Sequence, residues 1–218
     1  MNGQNRRVDA VSWILILGQF GLAGAIAWLG PTHPLPMHFG FDGQVNRWGS
    51  RTEMAGVVLL LAAISAVAAL FGRRPDEDAH LLRGRRFSQA AVVWVTSLVA
   101  LLAAGLTWGW DDQPGPRLGM LSISAVLAFI GALLGKTSPN ALVGVRTPWT
   151  FSSPLAWEKA NRLAGRLFFW GGVAGGLAMP FAPQPAGFKA VTLGALAVAA
   201  VAVFESWRVW RGDPDRIR

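Results

Sequence analysis

The chain has 218 residues, of which 52% are hydrophobic and only 15% charged, and its mean hydropathy is +0.38. A soluble domain carries about a quarter charged residues, so this composition points to a lipid environment, and the lack of cysteine excludes a disulfide framework and thiolate chemistry. A net charge of +8 would suit nucleic acid, but the placement of the basic residues has a topological explanation.

A helix needs about 20 predominantly apolar residues to cross a bilayer. The first window, 10–30, follows Arg6 and Arg7 and contains Ala23-Gly24-Ala25, which looks like a signal-peptide cleavage site. The apolar run continues to Gly30, longer than a signal core, so a retained helix is expected. Further windows lie at 54–72, 87–108, 118–134, 167–182 and 188–204. Trp13, Trp28, Trp108, Trp110, Trp170, Trp207 and Trp210 fall near their ends, where amphipathic rings prefer to sit. The expectation is an all-α membrane protein with six transmembrane helices in a single polytopic domain.

Placing both termini in the cytoplasm puts sixteen of the 20 basic residues inside, leaving Arg47, Arg51, Arg117 and Lys189 outside. The inner set includes Arg73, Arg74, Arg83, Arg85 and Arg86 in one loop, with Asp76, Glu77 and Asp78. Cytoplasmic loops are enriched in Lys and Arg, so this asymmetry accounts for the net charge with no direct nucleic-acid binding.

Small residues recur four apart at Gly21 and Ala25, Gly131 and Gly135, Gly171 and Gly175, and Gly172 and Gly176. Such spacing lets helix backbones approach closely. Packing within the bundle is the expected use, and a homodimer face the alternative.

The spans contain Gln19, Gln89 and a few hydroxyls, with Glu205 at the last boundary. Ionisable groups inside a bilayer usually mark ion or proton pathways. Their scarcity argues against a proton-coupled carrier and moves attention to two loops.

The outer loop, Pro31 to Glu53, is stiffened by Pro31, Pro34 and Pro36 and has Gly40, Asp42-Gly43 and Gly49 for turns. His33, His38 and Asp42 are its only metal-ligand types that fall together, without a compact ligand signature. The expected reading is a metal-free folded cap in which His38 and Asp42 make local hydrogen bonds, with Arg47 and Arg51 within reach of headgroups. The inner loop, Gly135 to Arg166, holds Asn140, Gly144 and the segment Arg146-Thr147-Pro148-Trp149-Thr150. Ser153-Pro154 then starts a helix that carries Trp157 and Arg162 along the interface before turning into the fifth span. Arg, Trp and hydroxyls at this place suit either an interfacial anchor or a docking surface. No P-loop, dinucleotide fingerprint, zinc signature or nucleophile elbow is present.

Both loops resemble those of the SdpI immunity-protein family of bacterial membrane proteins. The outer match is Pro36-Met37-His38-Phe39-Gly40-Phe41-Asp42-Gly43 with Asn46-Arg47-Trp48-Gly49-Ser50-Arg51. The inner match is Pro139-Asn140, then Gly144 to Thr150, then Trp157 and Arg162. Many relatives carry a histidine where this chain has Asn161, and polar or acidic residues at Ser153-Pro154. The resemblance implies a non-enzymatic, cofactor-free protein of the bacterial cytoplasmic membrane. It would give immunity to a secreted, membrane-active toxin peptide and signal by capturing a cytoplasmic transcription repressor. It assigns partner binding to Asn140, Gly144, Arg146, Thr147, Pro148, Trp149, Thr150, Trp157 and Arg162. The outer motif comprises Pro36, His38, Gly40, Asp42, Gly43, Arg47 and Gly49. A small transporter or channel with the loops as gates is the alternative.

Overall fold

The computed structural model describes residues 9–70, 79–109, 115–140 and 142–217. Arg6, Arg7, Arg73, Arg74, Asp76, Glu77, Asp78, Trp110 and Arg218, the side chains of Arg83 and Arg85, and the end of the second window lie outside the described residues. The elements in chain order are α1 (Ala10–Leu29), β1 (Leu35–Phe39), β2 (Val45–Gly49), α2 (Arg51–Leu70), α3 (Ala79–Trp108), α4 (Pro116–Leu134), α5 (Pro148–Ser152), α6 (Pro154–Ala178) and α7 (Ala186–Gly212).

Five helices are long and apolar enough to cross a membrane: α1, α2, α3 from Arg86, α4 and α7. Their outward faces expose Leu17, Leu60, Val67, Leu196 and Phe204. A water-facing helix would put polar groups there, whereas a lipid-facing one needs none. The chain is a multi-pass membrane protein.

The fifth window, 167–182, has a different form. Instead of an interfacial helix that turns into a span, α6 is one unbroken helix of 25 residues. Its first half carries Glu158, Lys159, Arg162 and Arg166, so it falls outside the five.

The chain divides into two compact units. In the first, α1, α2 and α3 pack on one another around Ala23, Ile26, Val58 and Ala100. Their polar residues face inward and close on themselves. Gln19 donates through Nε2 to Ser97 Oγ at 2.7 Å, Ser65 Oγ donates to Gln19 Oε1 at 3.1 Å, and Ser65 and Thr96 share a 2.6 Å bond. Thr96 and Ser97 also donate to carbonyls of their own helix. Every polar group in this ring has a partner, as a non-aqueous interior demands.

In the second unit, α4 crosses α6 at glycines. A Cβ on Gly131 would lie 2.2 Å from the Phe169 nitrogen, and one on Gly172 would lie 2.4 Å from that of Ala128. Backbone contacts this close are open only to residues without a side chain. Gly21 and Gly171, by contrast, meet nothing within 4 Å. An apolar cleft of about 390 Å³ lies among α4, α6 and α7, lined by residues such as Met120, Leu127, Phe168 and Val191.

The fold is mostly helical, as expected, and the outer loop adds a detail the sequence reading lacked: β1 and β2 pair in a two-stranded sheet. Its tip, 39–44, belongs with the second unit. Gly43 has φ +74° there, and a Cβ on it would strike Pro116 and Phe188. Asp42-Gly43 therefore serves as the turn its composition suggests.

Candidate functional site

The inner loop between α4 and α6 is a framework of side-chain-to-backbone hydrogen bonds. It starts at Thr137, whose hydroxyl donates to the Leu134 carbonyl at the end of α4, at 2.9 Å. Asn140 then gathers the chain around its amide. Its Oδ1 accepts from the Leu142 and Val143 N–H groups at 2.7 and 2.8 Å, and its Nδ2 donates to the Ser138 and Val143 carbonyls. A short amide side chain satisfies a tight bend in this way without help from solvent.

Gly144 follows with φ +136°. A Cβ here would meet the Trp157 ring at 2.7 Å and Asn161 Oδ1 at 2.9 Å, so only glycine fits both the conformation and the space. The chain lies against α6 at this point. Asn161 Oδ1 accepts from the Val145 N–H at 2.7 Å, and its Nδ2 donates to the Trp157 carbonyl at 2.9 Å. Trp157 is 1% exposed, and its indole N–H donates back to the Thr137 carbonyl at 2.9 Å. Thr137, Trp157 and Asn161 thus connect both ends of the loop to one turn of α6.

The short α5 has a capping box. The Thr150 N–H donates to Thr147 Oγ1 at 3.2 Å, and the Thr147 N–H to Thr150 Oγ1 at 2.9 Å. The Thr150 hydroxyl donates to the Val145 carbonyl, and the Thr147 hydroxyl bonds Ser206 of α7 at 3.0 Å. Proline at the first position costs no hydrogen bond. Ser153 ends α5 and caps α6 by accepting from the Ala156 N–H at 2.9 Å.

The residues singled out from sequence therefore fall into two groups. Thr147, Thr150 and Trp157 are buried, and Asn140 and Gly144 are part-buried, with contacts that shape the loop. Arg146, Pro148 and Arg162 are exposed and Trp149 is half-buried. Arg162 pairs with Glu158 at 2.6 Å across one helical turn, a surface pair of small energetic value. Phe151 and Leu155 add exposed apolar surface beside them.

Sequence reasoning missed Thr137, Ser206 and Asp213 as parts of this framework. Asn161 stood out only as a departure from the relatives' histidine, whereas its amide bridges loop and helix. A histidine cannot accept from Val145 and donate to Trp157 through one forked group.

On the outer loop, His38 Nδ1–H donates to Asn46 Oδ1 at 2.7 Å across the strands, and Asp42 Oδ1 accepts from the Gln44 N–H at 3.0 Å. Both residues make the local bonds expected of them. His33 lies against the Pro34 carbonyl, and among the described residues no three metal-ligand side chains gather. Arg47 pairs with Glu53, and Arg51 donates to the Gly30 carbonyl at the end of α1, at 3.0 Å. These cations support the hairpin's entry and exit. Pro36 is buried, and a Cβ on Gly49 would collide with Met37 and Glu53. Gly40 donates its N–H to the Gln44 carbonyl at 2.8 Å.

Comparison with curated proteins and with solved structures gives no match. Residues 136–205 match the model of the SdpI/YfhL protein family. That stretch begins one residue after the Gly135 cap of α4 and takes in the loop from Lys136 to Ser153, α6 and most of α7, stopping just before Ser206. The resemblance carried by Asn140, Gly144 to Thr150, Trp157 and Arg162 is therefore borne out over residues 136–205, which are similar to the SdpI/YfhL family.

Proposed function

We propose that the chain is a non-enzymatic immunity or resistance protein of the bacterial cytoplasmic membrane, with α6 as a sixth span and both termini inside. It protects against a membrane-active toxin peptide. The inner corner, where α5 meets α6, is its working surface and docks a cytoplasmic repressor. The observation that carries this reading is the inner loop's construction. A connector needs no capping box, no amide bridge and no buried tryptophan to hold it, and here all three place Arg146, Pro148 and Trp149 at the surface. Arg146 supplies charge-assisted hydrogen bonds and Trp149 apolar contact area. Thr147, Thr150, Trp157, Asn140 and Gly144 serve as the frame. The positive-inside count supports the orientation.

The test is expression in a sensitive host challenged with membrane-active peptides. Wild type is expected to protect, and Arg146→Ala and Trp149→Ala to lose protection at normal membrane levels. Full protection by both variants would remove the inner corner from the mechanism.

A further inference from the structure

We propose that the segment Asp213–Ile217, which follows α7, is a strap that holds the inner corner shut, and that its release is the step that frees α5. Three observations meet here. First, Asp213 is 5% exposed and accepts from the Ser153 hydroxyl at 2.5 Å and the Asp215 N–H at 3.0 Å. Its carboxylate thus engages the residue that caps α6, where negative charge complements the helix dipole. Second, the Ile217 N–H donates to the Ser152 carbonyl at 2.9 Å, in the last turn of α5. Third, Arg216 folds the segment back. It stacks on the Trp210 ring at 4.9 Å and donates to the Trp210 carbonyl at 3.1 Å and to the Arg211 carbonyl.

The corner needs such a clasp. A five-residue helix closes too few hydrogen bonds to offset the cost of its own nucleation, so α5 stays helical only while outside groups hold it. Those groups include Ser206 and the Val145 carbonyl near its start, the Trp157 ring against Phe151, and the strap on its last turn. The strap reaches the corner through two hydrogen bonds, from the Ser153 hydroxyl to Asp213 and from the Ile217 N–H to Ser152, few enough for it to open while α6 and α7 stay folded.

The proposal rests on the inner corner being the working surface, yet its test needs neither toxin nor repressor. Amide hydrogen exchange is measured on the full chain in lipid nanodiscs, for wild type, Asp213→Ala, Ile217→Pro and the double variant. Removing the strap's two anchors is expected to speed exchange across 147–153 by about tenfold or more, with α4 and the centre of α7 unchanged. Unchanged exchange at 147–153 in the double variant would overturn the strap. So would an equal rise throughout α4 and α7, which would make the segment a contributor to global stability only. If exchange responds while Arg146→Ala still protects cells, the strap stands and the docking reading fails. The opposite pair of results separates them the other way.

Discussion

The indole N–H of Trp157 donates to the carbonyl of Thr137, tying the first turn of α6 to the residues that leave α4. Trp157 is the largest fully buried side chain described, and this single bond lets it be buried without an orphaned donor. Trp157→Phe keeps most of the ring and deletes the donor, leaving the Thr137 carbonyl unpaired. The variant is expected to lose about 1–3 kcal/mol of stability, read as a lowered unfolding midpoint in mixed micelles. An unchanged midpoint would mean that the bond contributes nothing.

Adjacent glycines on α6 should respond in opposite ways. A Cβ at Gly172 would enter the backbone of α4 at Ala128 and Ser124, whereas Gly171 faces open space. Gly172→Leu is expected to abolish folded, detergent-stable protein. Gly171→Leu should fold as well as wild type or better, since glycine costs a helix about 1 kcal/mol. Size-exclusion profiles after solubilisation decide between them.

The ring of Gln19, Ser65, Thr96 and Ser97 should prove less costly to break than its burial suggests. In Gln19→Leu, Thr96 and Ser97 still donate to the Val92 and Val93 carbonyls, so few groups are orphaned. The expected loss is about 1 kcal/mol, the usual size of an interhelical hydrogen bond in lipid. Thermal unfolding of the α1–α3 region, followed by hydrogen exchange, checks it.

Asp9 gives the first turn of α1 a pH dependence. Burial pushes its carboxyl up, but hydrogen bonds from the Ser12 N–H and hydroxyl outweigh that and hold it below the ordinary aspartate value. Because the folded value is depressed, the cap's contribution is complete above the unfolded value, about 3.9. It is lost as pH falls through the lower folded one. Solution NMR should show the Ser12 amide signal shifting and losing protection below about pH 4 in wild type. In Asp9→Asn, whose cap cannot titrate, that change should be absent.

Hydropathy made most of the helices legible, because a span has to satisfy length and polarity together. The boundaries of α1 and α4 lie within about two residues of the sequence reading. The hairpin was not legible. Leu35-Pro36-Met37-His38-Phe39 has two buried residues in succession, and Val45–Gly49 is largely exposed, so neither strand shows the alternation that marks one. Only Asp42-Gly43 signalled its turn. α5 escaped notice because its capping box ends in Thr150, not in the glutamate that usually completes the pattern. Asp213 was invisible for another reason: an acidic residue in a polar stretch looks solvated, and only the fold brings it to Ser153.

The continuity of α6 has a mechanical consequence. Its 25 residues make a rod about 37 Å long, pinned near its middle where Gly165 and Gly172 touch α4. Close contact spread along the rod, with the Thr137 bond to Trp157 at one end, gives no single pivot, so the corner built on Pro154 and Trp157 rests on a rigid mount.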